Sequence, residues 1–126
     1  MPFVNRRDPE AVAQLLIINA ALYGEEKTKE ISRYRFSIDT LRKISNRKNI
    51  QNNFLDTLHG ELSELGWYLI VLDDEYAIIN IEMLSSWVNL SSKRLRELEF
   101  FDKDDQEVSE MFYEKYHQDG IEEIEE

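Results

Sequence analysis

Ile31-Ser32-Arg33-Tyr34-Arg35-Phe36-Ser37-Ile38-Asp39-Thr40-Leu41-Arg42-Lys43-Ile44 changes its period at Ser37. Before it, Tyr34 and Phe36 alternate with Arg33 and Arg35, the period of two that a half-buried strand shows. After it, Ile38, Leu41 and Ile44 recur at helical spacing, and Ser37 is placed to cap that helix by accepting a backbone N–H bond. Ser45-Asn46-Arg47-Lys48-Asn49 is a polar break in which Asn favours a turn or a cap.

Asn49 is expected to cap a second helix. Ile50, Phe54, Leu58, Leu62 and Leu65 form one apolar stripe, and Gly66 ends it because glycine tolerates a positive φ. Gly60 falls inside this helix at a cost of about 1 kcal/mol relative to Ala, which suggests a close approach by another element. Two β-prone apolar runs follow, Trp67–Leu72 and Tyr76–Ile81. The acidic connection Asp73-Asp74-Glu75 between them reads as a hairpin.

In element order, residues 31–81 resemble the winged helix-turn-helix superfamily, over about half of the chain. The resemblance implies a groove-reading second helix and a hairpin that serves as the wing. The acidic hairpin tip departs from wings that touch DNA, because three carboxylates would repel phosphates.

Outside this stretch, Asp8 and Pro9 open a first helix, with Met1 to Arg7 as a loose arm. Val12, Leu15, Leu16, Ile18 and Leu22 give the helix a wide apolar surface and Gly24 closes it. Such a helix is either central to the core or a seam between two copies. After the hairpin, Ser91 or Ser92 caps a short helix carrying Lys93, Arg94 and Arg96, and Phe100-Phe101 anchors its end. Asp104 or Asp105 starts a last helix with Val108, Met111, Phe112 and Tyr116 as its stripe, and acids in its first turn suit the macrodipole. The expected architecture is α+β: a winged-helix core (helix, short strand, two helices, β-hairpin) with a C-terminal helical extension. It forms a single domain over 1–118, with an acidic tail over 119–126. Trp67, Tyr68, Tyr76, Trp87, Phe100, Phe101, Phe112 and Tyr116 are assigned to the core by pattern, with Trp87 also a candidate interface anchor.

Charge separates along the chain. Net charge is −11, yet residues 1–96 hold 13 acids and 13 bases, and residues 97–126 hold 13 acids and two bases, Lys103 and Lys115. Arg33, Arg35, Arg42, Lys43, Arg47 and Lys48 concentrate positive charge in a chain whose pI conceals it. With Gln51, Asn52 and Asn53 at the start of the second helix, they are the candidate nucleic-acid-binding residues. Cations fix the phosphates, and the amides, able to donate to N7 and accept from N6, suit adenine. The same cations serve equally as the solvated face of an ordinary helix.

Two functions stay open. One is a small DNA-binding regulator, transcriptional or of a mobile element, pairing as a homodimer through its first helix. The other is an acidic inhibitor or adaptor whose C-terminal carboxylates bind a protein partner, by imitating the phosphates of DNA or otherwise. No catalytic constellation, cofactor motif or metal-ligand spacing is present: His59 and His117 stand alone, and the run Asp102–Glu107 lacks the glycine and distal Glu of a calcium loop. The chain has no Cys and lacks both a membrane-length apolar run and a signal-peptide pattern. It is therefore expected to be cytoplasmic, without a membrane partner.

Overall fold

Ser37 joins two elements as its chemistry requires. Its side-chain oxygen accepts from the Thr40 N–H at 3.1 Å, so strand β1 (Arg33–Ser37) passes directly into helix α2 (Ile38–Ser45). The computed structural model describes residues 5–116. Met1–Val4, His117, Gly120 and the expected tail 119–126 lie outside the described residues. The fold is α+β. Helix α1 (Pro9–Lys27) precedes β1, and helix α3 (Asn52–Glu64) follows α2. Strands β2 (Trp67–Val71) and β3 (Glu75–Asn80) complete an antiparallel sheet of order β1-β3-β2. The chain divides into two compact units between Trp87 and Val88.

The first unit owns the core. Phe36 pairs with Tyr76 and Leu69 with Ile78 across the sheet, which points these four inward with Trp67. Leu16 and Val12 of α1, Leu41 of α2, and Phe54, Leu58 and Leu62 of α3 close over them. On the reverse face Arg35 is level with Ala77 and Ile70, and Arg33 with Ile79 and Tyr68. His59 covers the free edge of β2: its Nδ1 accepts the Leu69 N–H at 3.3 Å, and its ring meets Tyr68 edge-on at 4.5 Å. An unpaired strand N–H would otherwise lie partly buried, and such groups are costly.

Several expectations are corrected. Helix α1 does not end at Gly24, which is buried inside it, but runs to Lys27 and closes on Thr28 at φ 57. The Lys29 N–H donates to Gly24 O at 2.9 Å and the Thr28 N–H to Glu25 O at 3.4 Å, the paired bonds of a Schellman close. A Cβ on Gly24 would lie 2.5 Å from the Lys29 carbonyl oxygen, so glycine is there for the returning backbone. The reverse holds at Gly60, where a Cβ would meet nothing within 4 Å; no element approaches it. Ile18 and Leu22 are exposed, and α1 buries Ala13 and Ala20 instead. In α3, Leu55 is buried and Leu65 exposed, while Gly66 has the expected positive φ, 88. Glu75 belongs to β3, where the Leu72 N–H donates to its carbonyl, so the turn proper is Asp73-Asp74.

The second unit contains short helix α4 (Lys93–Glu97) and helix α5 (Asp105–Tyr116). Asp104 caps α5 reciprocally: its Oδ1 accepts the Glu107 N–H at 2.8 Å, and Glu107 Oε1 accepts the Asp104 N–H at 3.0 Å, a capping box. No described residue of this unit is buried. Phe101, Phe112 and Tyr116, expected in the core, are exposed, as are Tyr68 and Trp87 of the first unit. Phe100, Lys103 and Met111 are half-buried at most. Among the described residues, no helix is long and apolar enough to cross a membrane.

Candidate nucleic-acid interface

The connection between α2 and α3 is held by the segment Asn5–Arg7, far from it in sequence. Asn46, left-handed at φ 57, closes α2: its N–H donates to Lys43 O, and the Arg47 N–H to Arg42 O at 3.0 Å. Asn tolerates this conformation better than most residues. The expected loose arm is tied down along this turn from Asn5 onward. The Arg7 N–H donates to Ser45 O at 3.0 Å, Arg7 Nε to Ile44 O at 2.9 Å, and Asn46 Nδ2 to Asn5 O at 3.1 Å.

Arg47 locks the assembly. Its Nη2 donates to Arg7 O at 3.0 Å, and its guanidinium lies 4.0 Å from the ring centroid of Phe54, a cation–π geometry. Its Nε is buried without a hydrogen-bond partner. Burial is the main cause holding this guanidinium below its ordinary pKa, and nearby Arg6 adds to that while Asp8 opposes it. It stays charged at any physiological pH.

Helix α3 starts at Asn52, not after Asn49, with Gln51 as its N-cap residue and no side-chain cap bond. Its first N–H groups are therefore not occupied by a capping side chain, the condition under which a helix start receives an anion. Beside them is an open groove of about 210 Å³ lined by Arg6, Arg47, Asn49, Gln51, Asn53 and Thr57, with Pro9 and Phe54 as its apolar wall. No carboxylate lines it. Gln51, Asn52, Asn53 and Lys48 are exposed.

The other candidate cations are placed differently. Arg42 is exposed on α2 and acts electrostatically on Tyr76. Lys43 pairs with Asp39 at 3.3 Å. Arg33 and Arg35 lie on β1 beside a second groove with Asn19 and Tyr23 of α1, and Arg35 pairs with Glu75 at 3.4 Å. Both ion pairs are exposed, so each contributes little to stability. Sequence reasoning missed Arg6. Its proximity to Arg47 depends on the arm folding back over some forty residues of chain, which periodicity cannot show.

Among the described residues no three His, Asp or Glu side chains gather as metal ligands. Compared with protein-family models, curated proteins and solved structures, the chain matches none.

Proposed function

We propose that the first unit binds duplex DNA, with the start of α3 against base edges and Arg6 and Lys48 on phosphates, as a regulator of transcription or of a mobile element. The observation that carries this reading is the groove in which Arg6 and Arg47 meet Asn49, Gln51 and Asn53 without a carboxylate among them. Arg6 and the exposed Lys48 supply the sequence-independent attraction, and amides supply the means to discriminate. The element order of a winged helix is consistent with this use, although folds of one architecture serve many functions. Glu75, engaged by Arg35, leaves Asp73 and Asp74 at the hairpin tip, so the hairpin is kept off the phosphates.

Binding to mixed-sequence duplex, followed by anisotropy between about 50 and 200 mM salt, tests the reading. Each phosphate contact contributes about 0.9 to the slope of log K against log salt, so Arg6→Ala and Lys48→Ala each flatten it by about 1. Absence of binding at the low-salt end, or a slope that both variants leave unchanged, refutes the reading.

A second reading has its own observation. The C-terminal unit has no buried residue among those described, and Val88, Leu90, Phe101 and Tyr116 are 60% exposed or more. An acidic surface with uncovered apolar side chains suits a basic, partly apolar cleft on a protein partner. Under this reading the chain inhibits a DNA-cleaving enzyme with a basic cleft, and Asp104→Asn with Asp105→Asn and Glu107→Gln weakens the inhibition. An unchanged rate of cleavage excludes it.

A further inference from the structure

The sheet has two edges, and they are finished differently. At β2 the Leu69 N–H is taken by His59. At β1 the bonds to β3 run through alternate residues: the Asn80 N–H donates to Ser32 O at 2.7 Å, and Tyr34 and Phe36 follow in register with Ile78 and Tyr76. In an antiparallel ladder the residues between them turn their backbone outward. The N–H and C=O of Arg33 and of Arg35 therefore line the open side of β1, and they have no backbone partner among the described residues. Beside them runs an open groove of about 430 Å³, with Asn19, Ala20 and Tyr23 of α1 as its other wall. It shares no residue with the groove of Arg6 and Arg47.

We propose that this edge takes an extended acidic segment of a partner protein as a fourth strand, antiparallel to β1. Four outward backbone groups are complementary to another backbone. The register then assigns the side chains. Segment residues bonded to Arg33 and Arg35 lie directly opposite them and point to the same face. Both arginines are exposed. Arg33 has no ion pair among the described residues, and the exposed pair of Arg35 with Glu75 competes weakly. The two opposed residues are therefore carboxylates. The residue between them points with Tyr34 toward Ala20 and Tyr23, which suits a small β-branched side chain. The segment reads acidic, apolar, acidic. The same arginines exclude a second copy: β1 against β1 in this pairing sets Arg33 opposite Arg35 of the other copy, like charges face to face.

Anisotropy of a labelled heptapeptide, Thr-Thr-Glu-Val-Glu-Thr-Thr, titrated with the full chain tests the pairing. Binding weakens about tenfold or more when both Glu nitrogens are methylated, since those N–H groups donate to Arg33 O and Arg35 O. Methylating the Val nitrogen, which faces away from β1, leaves binding within about twofold. Arg33→Glu with Arg35→Glu, its folding checked by urea melts, loses this peptide and takes the Lys-Val-Lys counterpart instead. No binding up to about 1 mM overturns the proposal. Equal binding of the two methylated peptides also overturns it, because Arg33 and Arg35 are then a cation patch open to any polyanion, nucleic acid included. A mass above 15.0 kDa for the chain alone, which the peptide returns to 15.0 kDa, makes a second copy the occupant and overturns the acidic partner.

Discussion

Arg47 and Lys48 are neighbours in sequence and opposites in role. The Arg47 guanidinium is held by Arg7 O and the Phe54 ring, while Lys48 is exposed. Arg47→Ala is expected to cost about 1–3 kcal/mol in urea unfolding, from the lost charge-assisted bond and the lost cation–π contact. Lys48→Ala should remain within about 0.5 kcal/mol of the original chain. Equal losses would show that the Arg47 contacts are not what ties the arm to the turn. Tyr34 gives a pH-dependent counterpart. Its hydroxyl donates to Leu16 O at 2.7 Å, and burial raises its pKa above 10.0, opposed by a hydrogen bond with Asn19. A phenol whose folded pKa exceeds its unfolded one contributes stability that is fully present below the unfolded value. That stability is lost as pH rises through the folded value. Tyr34→Phe should therefore cost about 0.5–1.5 kcal/mol near neutrality and then lose stability less steeply than the original chain above about pH 10. Tyr76, also raised by burial, retains part of the alkaline slope. Parallel stability curves for the two chains across that range would exclude the Tyr34 contribution.

Local chemistry and long-range packing part company within single elements. The switch at Ser37, the turn at Asn46 and the positive φ of Gly66 were readable because each depends on a few neighbouring residues. The hairpin was readable for the same reason. The two interior glycines were read in reverse because what decides them lies off the helix. At Gly60 a methyl group meets nothing, and at Gly24 it meets the Lys29 carbonyl oxygen at 2.5 Å. Gly60→Ala should thus stabilise the chain by about 0.5–1 kcal/mol through helix propensity alone. Gly24→Ala should lower the melting temperature, since Lys29 would have to withdraw and the close of α1 with it. If Gly24→Ala melts at or above the original temperature, the return of the chain over α1 is not constrained there. The candidate interface was half readable for a related reason. Gln51, Asn52 and Asn53 announce themselves as polar residues opening an amphipathic helix, but their groove needs Arg6. That residue arrives through hydrogen bonds between Asn5–Arg7 and Ile44–Asn46, which leave no periodic trace. The apolar stripe of α5 shows the opposite failure. Its spacing announces a buried face, yet Phe112 and Tyr116 are exposed, because periodicity tells which residues share a side and not whether anything covers it.

At the scale of the chain, net charge divides with the two units. The residues up to Trp87 hold ten bases and 13 acids, and those after it hold five bases and 13 acids, so eight of the eleven net negative charges belong to the second unit. A chain of charge −11 that binds DNA must do so through a local surface against an adverse overall field, and that field is screened beyond about 10 Å at 0.1 M salt. Neutralising Asp102, Asp104, Asp105, Glu107, Glu110 and Glu114 as Asn or Gln leaves the groove of Arg6 and Arg47 untouched and brings the net charge to −5. DNA affinity should then rise severalfold at about 50 mM salt and converge with that of the original chain near 200 mM, because only the screened component has changed. A gain that persists undiminished at the higher salt would mean that these carboxylates compete directly for the DNA-binding surface. A loss of affinity would mean that they help to form it. The same variant separates the two proposed functions, since a protein that acts through its carboxylates loses its partner under the substitutions that make a DNA binder tighter.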